Sequence, residues 1–421
     1  MKRKRRGITR RRYFLLLVFL YQLCALKFMS DQFWEARQAS FIDNPGTTPV
    51  EDIIVTVERR NKERRELIWD VCQKMGYKNY TDEINIRAHM TPNHSLLYCR
   101  INKCASTFTL EVIRRLFDCD TKCLIKSSIY IKNETKAAFE KMTNAFSFIF
   151  VREPYRRLFS TYANQLYLPK EDWLHKGTKI VKQCRKNPSE RSLKYGHDVS
   201  FAEFIRCTLE RYESGERLDE FVRPMSHRSC SPCHFNFDFI GKLETFQQDW
   251  NYIVEELNLK NVTNVNPHDV ISEVQKWSIL GPIKNVIHAV NVFRKSGISL
   301  YNMYLRAWTY YQIIGFISKQ IPMPYSRSDV NDISTADIFK TIHNAIELSE
   351  SDRGVSSQND EAMIQAYSTI SLIDLARVRK LVEQDCLLFG YDDKPDILFN
   401  RRNKEQKTKK FNYFTGMDIQ Y

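Results

Sequence analysis

The chain has 421 residues with 43% hydrophobic and 13% aromatic side chains, enough apolar material to build a substantial core and too much for a disordered polypeptide. Lys and Arg number 64 against 50 Asp and Glu, a formal net charge of +14, but residues 1–12 alone hold eight basic and no acidic side chains. The remaining 56 basic and 50 acidic residues leave an excess of six, which suits anionic small molecules and acidic glycans better than nucleic acid.

In chain order, residues 1–12 read as a cytoplasmic tail and the apolar run 13–29 as a signal anchor. The flanking positive charge keeps the amino end cytoplasmic, so the rest of the chain is expected to be translocated. The run lies at the short end of what spans a bilayer. A cleaved signal peptide is the competing reading, but Lys27, Phe28 and Met29 are too bulky for a small-x-small cleavage site. A polar, Pro-containing stem is expected over 30–67, a lumenal domain over 68–395, and a charged tail over 396–421. The sequons at Asn79, Asn93, Asn133 and Asn261 are candidate glycosylation sites in such a lumenal chain. Ten of the eleven cysteines follow the apolar run, and an oxidising lumen allows them to pair. A zinc reading of Cys230-Ser231-Pro232-Cys233-His234 lacks a second ligand pair at matching spacing, so no metal is expected.

Two segments carry most of the chemical information. Strands are predicted at Leu96–Ile101 and Phe146–Val151, each running into a polar turn and then a helix, at Thr107–Phe117 and Tyr155–Leu166. Further helices are predicted at Thr245–Leu257 and Ser371–Phe389, with a possible strand at Ser128–Ile131. A helix start exposes unpaired N–H groups and the positive end of its dipole, which favours phosphate. In the first turn, Asn102, Lys103, Cys104, Ala105, Ser106, Thr107 and Phe108 surround one lysine and two hydroxyls. In the second, Pro154 at the helix start leaves Arg152 at the strand end and Ser160 two turns on. No glycine lies between Gly76 and Gly177, so the G-x-x-x-x-G-K-[ST] loop of ATP and GTP enzymes is absent. Protein-kinase motifs are absent as well.

Two anion turns on consecutive strands resemble the sulfotransferases, whose donor 3′-phosphoadenosine 5′-phosphosulfate carries phosphate at two ribose positions. Cys230-Ser231-Pro232-Cys233-His234, then Phe237-Asp238-Phe239-Ile240-Gly241-Lys242-Leu243-Glu244, and later Tyr367-Ser368 through Phe389-Gly390-Tyr391, are similar to the Golgi carbohydrate sulfotransferases of the chondroitin, dermatan and HNK-1 group. The resemblance covers about residues 90–392. Asn102 replaces that group's usual proline, Cys104 follows the lysine, and 264–361 has no counterpart and reads as a divergent insert.

The resemblance implies a P-loop-like α/β fold with a parallel sheet flanked by helices. It also implies sulfuryl transfer to a sugar hydroxyl, with Lys103 on the bridging oxygen and Arg152 and Ser160 on the 3′-phosphate. The acceptor proton needs a base, which relatives place between the two motifs. That interval holds no histidine, so Glu134 is nominated ahead of Glu111, Glu140, Asp118, Asp120 and His234. The expected setting is a single-pass type II Golgi membrane enzyme acting on a glycosaminoglycan. An N-glycan acceptor and an inactive glycan-binding relative are the alternatives.

Overall fold

The computed structural model describes residues 50–76, 87–91, 95–118, 128–130, 145–226, 230, 232–259, 263, 265–400 and 411–417. The expected cytoplasmic tail and anchor, all four sequons and Glu134 lie outside the described residues. Among the described residues, no helix is long and apolar enough to cross a membrane.

Among the described residues, five strands form one sheet in the order β3-β1-β2-β4-β5. They are β1 (Arg87–Met90), β2 (Leu96–Cys99), β3 (Ser128–Tyr130), β4 (Phe146–Val151) and β5 (Phe239–Lys242). β2, β4 and β5 run parallel, with Leu96 opposite Phe146 and Val151 opposite Lys242. The parallel sheet expected from the sequence is present in β2, β4 and β5 and becomes mixed at one side, because β1 pairs antiparallel with both β2 and β3. Residues 91–95 are too few for a crossover, and so short a connection can only reverse the chain.

The helices are α1 (Val50–Lys74), α2 (Ser106–Leu116), α3 (Pro154–Tyr162), α4 (Thr178–Cys184), α5 (Glu190–Tyr195), α6 (Phe201–Glu213), α7 (Phe246–Glu256), α8 (Pro267–Phe293), α9 (Leu300–Ile313), α10 (Thr335–Ser349), α11 (Gln358–Ser368), α12 (Leu372–Phe389) and α13 (Asp396–Phe399). The helices predicted after each motif are present within one to four residues of their expected ends. Two apolar cores result. One wraps the sheet with Val57, Ile68, Val112, Trp250, Ile253 and Val274, and the other is all-helical, built around Phe159, Phe201, Val286, Trp308, Ile342 and Tyr367.

Three regions depart from a simple reading of composition. Residues 50–67, expected as stem, belong to α1, whose Asn61 amide donates to the Asp238 carbonyl at 2.8 Å and accepts from the Ile240 N–H at 3.0 Å. Arg64 adds a bond to the Ile240 carbonyl and pairs with the buried Asp249 at 2.9 Å. The expected charged tail includes α13, and Tyr413 beyond it is buried. The insert contributes α8, α9, α10 and the start of α11 to the helical core, so it is interior and not an appendage.

Among the described residues, three disulfides fix this frame: Cys72–Cys233, Cys99–Cys230 and Cys184–Cys207. Cys230 and Cys233 therefore tether to separate partners instead of ligating metal. Cys99, the last residue of β2, is anchored just before the first anion turn.

Candidate active site

The two anion turns leave the carboxyl ends of the neighbouring parallel strands β2 and β4, the end of such a sheet where ligands bind. In the first turn Lys103 and Ala105 both have left-handed backbones, φ 69° and 54°. Ala105 precedes α2 and offers no side-chain cap, so the first-turn N–H groups of this helix are left for an anion. Lys103 is half-buried and Thr107 exposed, whereas Ser106 is buried. The departures from the family pattern face inward. Buried Asn102 accepts from Arg100 at 3.1 Å and donates to Glu220 at 3.0 Å, while the Cys104 thiol packs 3.7 Å from the Met225 sulfur. Burial pushes that thiol up to about 12, so it is held as an uncharged packing group. Phe108 meets Phe246 edge-on at 5.2 Å, closing the back of the turn.

In the second turn Glu153 caps α3, accepting from the N–H groups of Tyr155 at 3.1 Å and Arg156. The half-buried Arg152 guanidinium reaches the Lys103 carbonyl at 3.5 Å and so links the two turns. Arg157 is buried and structural, donating to the carbonyls of Asn102, Glu220 and Arg223. Arg156 pairs with Asp360. Ser160 lies half-buried one turn ahead of Asn164.

Behind these turns the sequence reading missed a polar network. The Lys103 ammonium donates to Asn164 Oδ1 at 2.7 Å, Gln165 Nε2 donates to the same oxygen at 3.0 Å, and Asn164 Nδ2 reaches the Tyr310 hydroxyl at 3.1 Å. Gln165 in turn accepts from Lys176. Asn164 and Gln165 belong to a single π-helical turn, Ala163–Tyr167, and Lys176 to a second, Trp173–Gly177. Such turns are rare and concentrate at functional sites. The buried Arg306 of the insert holds the first turn open by donating at 2.8 Å to the carbonyls of Leu166 and Tyr167. Burial, together with the charges of Lys170, Arg152 and Lys176, lowers the Lys103 ammonium well below the ordinary lysine value, against an opposing pull from Asp172.

A third cation stands beside the second turn. Lys242, at the carboxyl end of β5, lies 4.2 Å over the Tyr391 ring; the Tyr391 hydroxyl donates to Glu244 at 2.9 Å, and Glu244 accepts the Glu153 N–H at 3.0 Å. The signature around Asp238 divides by role: Asp238 accepts from the Ser147 N–H and hydroxyl, and a Cβ on Gly241 would stand 2.2 Å from the Phe150 ring.

Among the base candidates, Glu111 is locked to Arg114 and Arg115 at 2.6–2.8 Å, which holds its carboxyl below the usual range. His234 sits on the stretch entering the amino end of β5, the end opposite the Lys103 turn. A groove of about 760 Å³ lined by Trp69, Phe146, Phe235 and Asp238 opens at that same far end. Among the described residues no group of three or more His, Cys, Asp or Glu side chains could hold a metal ion.

Uncapped N–H groups, Lys103 and Arg152 converge at adjacent strand ends of an α/β sheet, a candidate site with the chemistry to hold a ligand that has more than one anionic group. Residues 87–279, a little under half of the chain, match the sulfotransferase family. The relatives it matches are, more particularly, carbohydrate sulfotransferases. The chain is 28% identical over 211 residues to carbohydrate sulfotransferase 11 of Mus musculus, covering 46% of this chain and 60% of that one. It is 30% identical over 176 residues to carbohydrate sulfotransferase 14 of Danio rerio, covering 39% and 46%. It is 25% identical over 235 residues to carbohydrate sulfotransferase 8 of Homo sapiens, covering 52% and 54%. The chain thus spans less than two thirds of the length of each of these relatives. No solved structure matches it.

Proposed function

We propose that the protein is a carbohydrate O-sulfotransferase that uses 3′-phosphoadenosine 5′-phosphosulfate and acts on a chondroitin- or dermatan-type glycosaminoglycan from the lumenal side of the Golgi membrane, held there by residues 13–29. The observation that carries this reading is the meeting of two anion turns, through Arg152 and the Lys103 carbonyl, at the ends of adjacent parallel strands. The site fits the donor: a half-buried lysine, an uncapped helix start and a half-buried arginine match two separated anionic groups.

The donor supplies an activated sulfuryl group. Lys103 meets the developing charge on the bridging oxygen, while the N–H groups opening α2 hold the 5′ side and Arg152 with Ser160 the 3′-phosphate. Asn164 keeps the ammonium aimed, because its carboxamide oxygen accepts from Lys103 while its N–H is tied to Tyr310. The acceptor hydroxyl attacks sulfur as the bridging S–O bond breaks, and its proton passes to a carboxylate, assigned to Glu134. β3 supports that assignment, since it runs parallel to β2 and brings the chain to the site end of the sheet at Tyr130, four residues before Glu134.

The test uses the full-length protein, labelled donor and desulfated chondroitin, dermatan, heparan and asialo N-glycans. Label entering a polymer, and lost in Lys103→Ala and Arg152→Ala, is the expected result. Transfer only to an N-glycan would move the acceptor; donor binding without any transfer would support an inactive relative. Absence of donor binding would overturn the reading.

A further inference from the structure

We propose that Lys170 and Lys176 form an acceptor-side anion subsite that selects a sugar chain bearing carboxylates, an inference that rests on the sulfotransferase reading. Both lysines are far less exposed than lysines usually are, their side chains 15% and 26% accessible. They share a single carboxylate, Asp172, at 3.3 and 3.5 Å, with Asp219 within electrostatic range of Lys176. With the Lys103 ammonium beside them, three cations face the carboxylates of Asp172 and Asp219, which leaves net positive charge in a partly desolvated place where a further anion gains more than it would in open water.

Position decides what that anion belongs to. Lys176 stands 3.7 Å over the Phe221 ring, and the Lys103 ammonium lies 5.9 Å from the same ring. Lys176 is also joined to Lys103 through Gln165 and Asn164. The pair therefore belongs to the Lys103 end of the site, where the sulfuryl group is handed over, and not to the Arg152 end assigned to the 3′-phosphate. A sugar hydroxyl reaching sulfur must arrive beside Lys103, so its neighbouring sugars pass these lysines. The repeating anion of such a chain is a uronate carboxylate, and half-buried Phe221 offers an apolar edge for a sugar ring.

The experiment compares desulfated chondroitin with the same polymer after carboxyl reduction, using the full-length protein and its Lys170→Gln, Lys176→Gln and double variants. Binding of adenosine 3′,5′-bisphosphate reports the donor site, and Lys176→Arg restores charge. The double variant is expected to raise the acceptor KM about tenfold or more, the scale of a lost charged hydrogen bond, with bisphosphate affinity changed less than about threefold. Carboxyl-reduced chondroitin should cost the wild type a similar factor and cost the double variant nothing further, and Lys176→Arg should recover most of the loss. Unchanged KM, equal losses on both polymers, or weakened bisphosphate binding would overturn the subsite. So would transfer to neutral N-glycans alone, which leaves the sulfotransferase reading standing. Bisphosphate binding without transfer to any glycan would remove that reading and the subsite with it.

Discussion

Lys103, proposed above to meet the bridging oxygen, works against the fold that carries it. Its ammonium is half-buried, surrounded by Lys170, Arg152 and Lys176, and steadied by one neutral oxygen from Asn164. Between its lowered value in the folded protein and the ordinary 10.5, the unfolded chain binds more protons than the native state, so this residue makes stability rise with pH across that window. Lys103→Met should therefore stabilise the donor-free protein at neutral pH and flatten that slope, while lowering kcat by about 10²–10³. Thermal melts across pH check both halves; a less stable variant would contradict the argument. Asn164→Ala should leave Lys103 misaimed, cutting kcat about tenfold or more with donor affinity retained, as single-turnover and binding measurements would show. Lys103, Arg152 and Ser160 could be nominated from the sequence because their chemistry attaches to a local pattern, strand then turn then helix, which the structure contains. Asn164, Lys176 and Tyr310 were not legible: the first two sit on π-helical turns that a 3.6-residue periodicity hides, and the third lies in a segment without motifs.

Elements were legible where apolar periodicity was strong. β2, β4, α2, α3 and α12 lie close to their expected places because each is marked by an apolar run or stripe followed by a recognisable cap: Glu153 before α3, Ser371 before α12 and left-handed Gly390 after it. The antiparallel β1 was missed, since a four-residue strand with His89 in it carries little alternation. The charged face of α1 suggested a stem, yet Asn61 and Arg64 use that polarity to satisfy the outer edge of β5. Asn61→Ala leaves a buried N–H and a carbonyl without these partners and should cost about 2–4 kcal/mol, measured by urea unfolding with an unchanged m-value. A loss below about 0.5 kcal/mol would mean that water or neighbouring side chains replace the amide.

At the scale of the whole molecule, two cores are joined by long helices and long covalent loops. α8 gives Val270 and Val274 to the sheet core and Val286 and Phe293 to the helical one, so the insert and the sheet are expected to melt together. The disulfides Cys99–Cys230 and Cys72–Cys233 close loops of 131 and 161 residues across that frame. Replacing Cys99 and Cys230 together by serine should lower the unfolding midpoint, with a chain-entropy loss of up to about 5 kcal/mol. Scanning calorimetry checks this, and two separate transitions in the wild type would contradict a joined frame.

α1 has a further consequence for the way in which the membrane anchorage proposed above could be cut. β5 is an outer strand, and the polar groups that α1 covers are those through which an unguarded strand recruits another chain. A protease cutting upstream of Val50 leaves that guard in place and should liberate a monodisperse, working catalytic fragment. One cutting at Arg59 or Arg60 strips Asn61 and Arg64 from the helix's amino-terminal support and should yield material that self-associates. Light scattering on the two digests would separate these fates, making the position of the cut the determinant of whether a monodisperse fragment or an aggregate results.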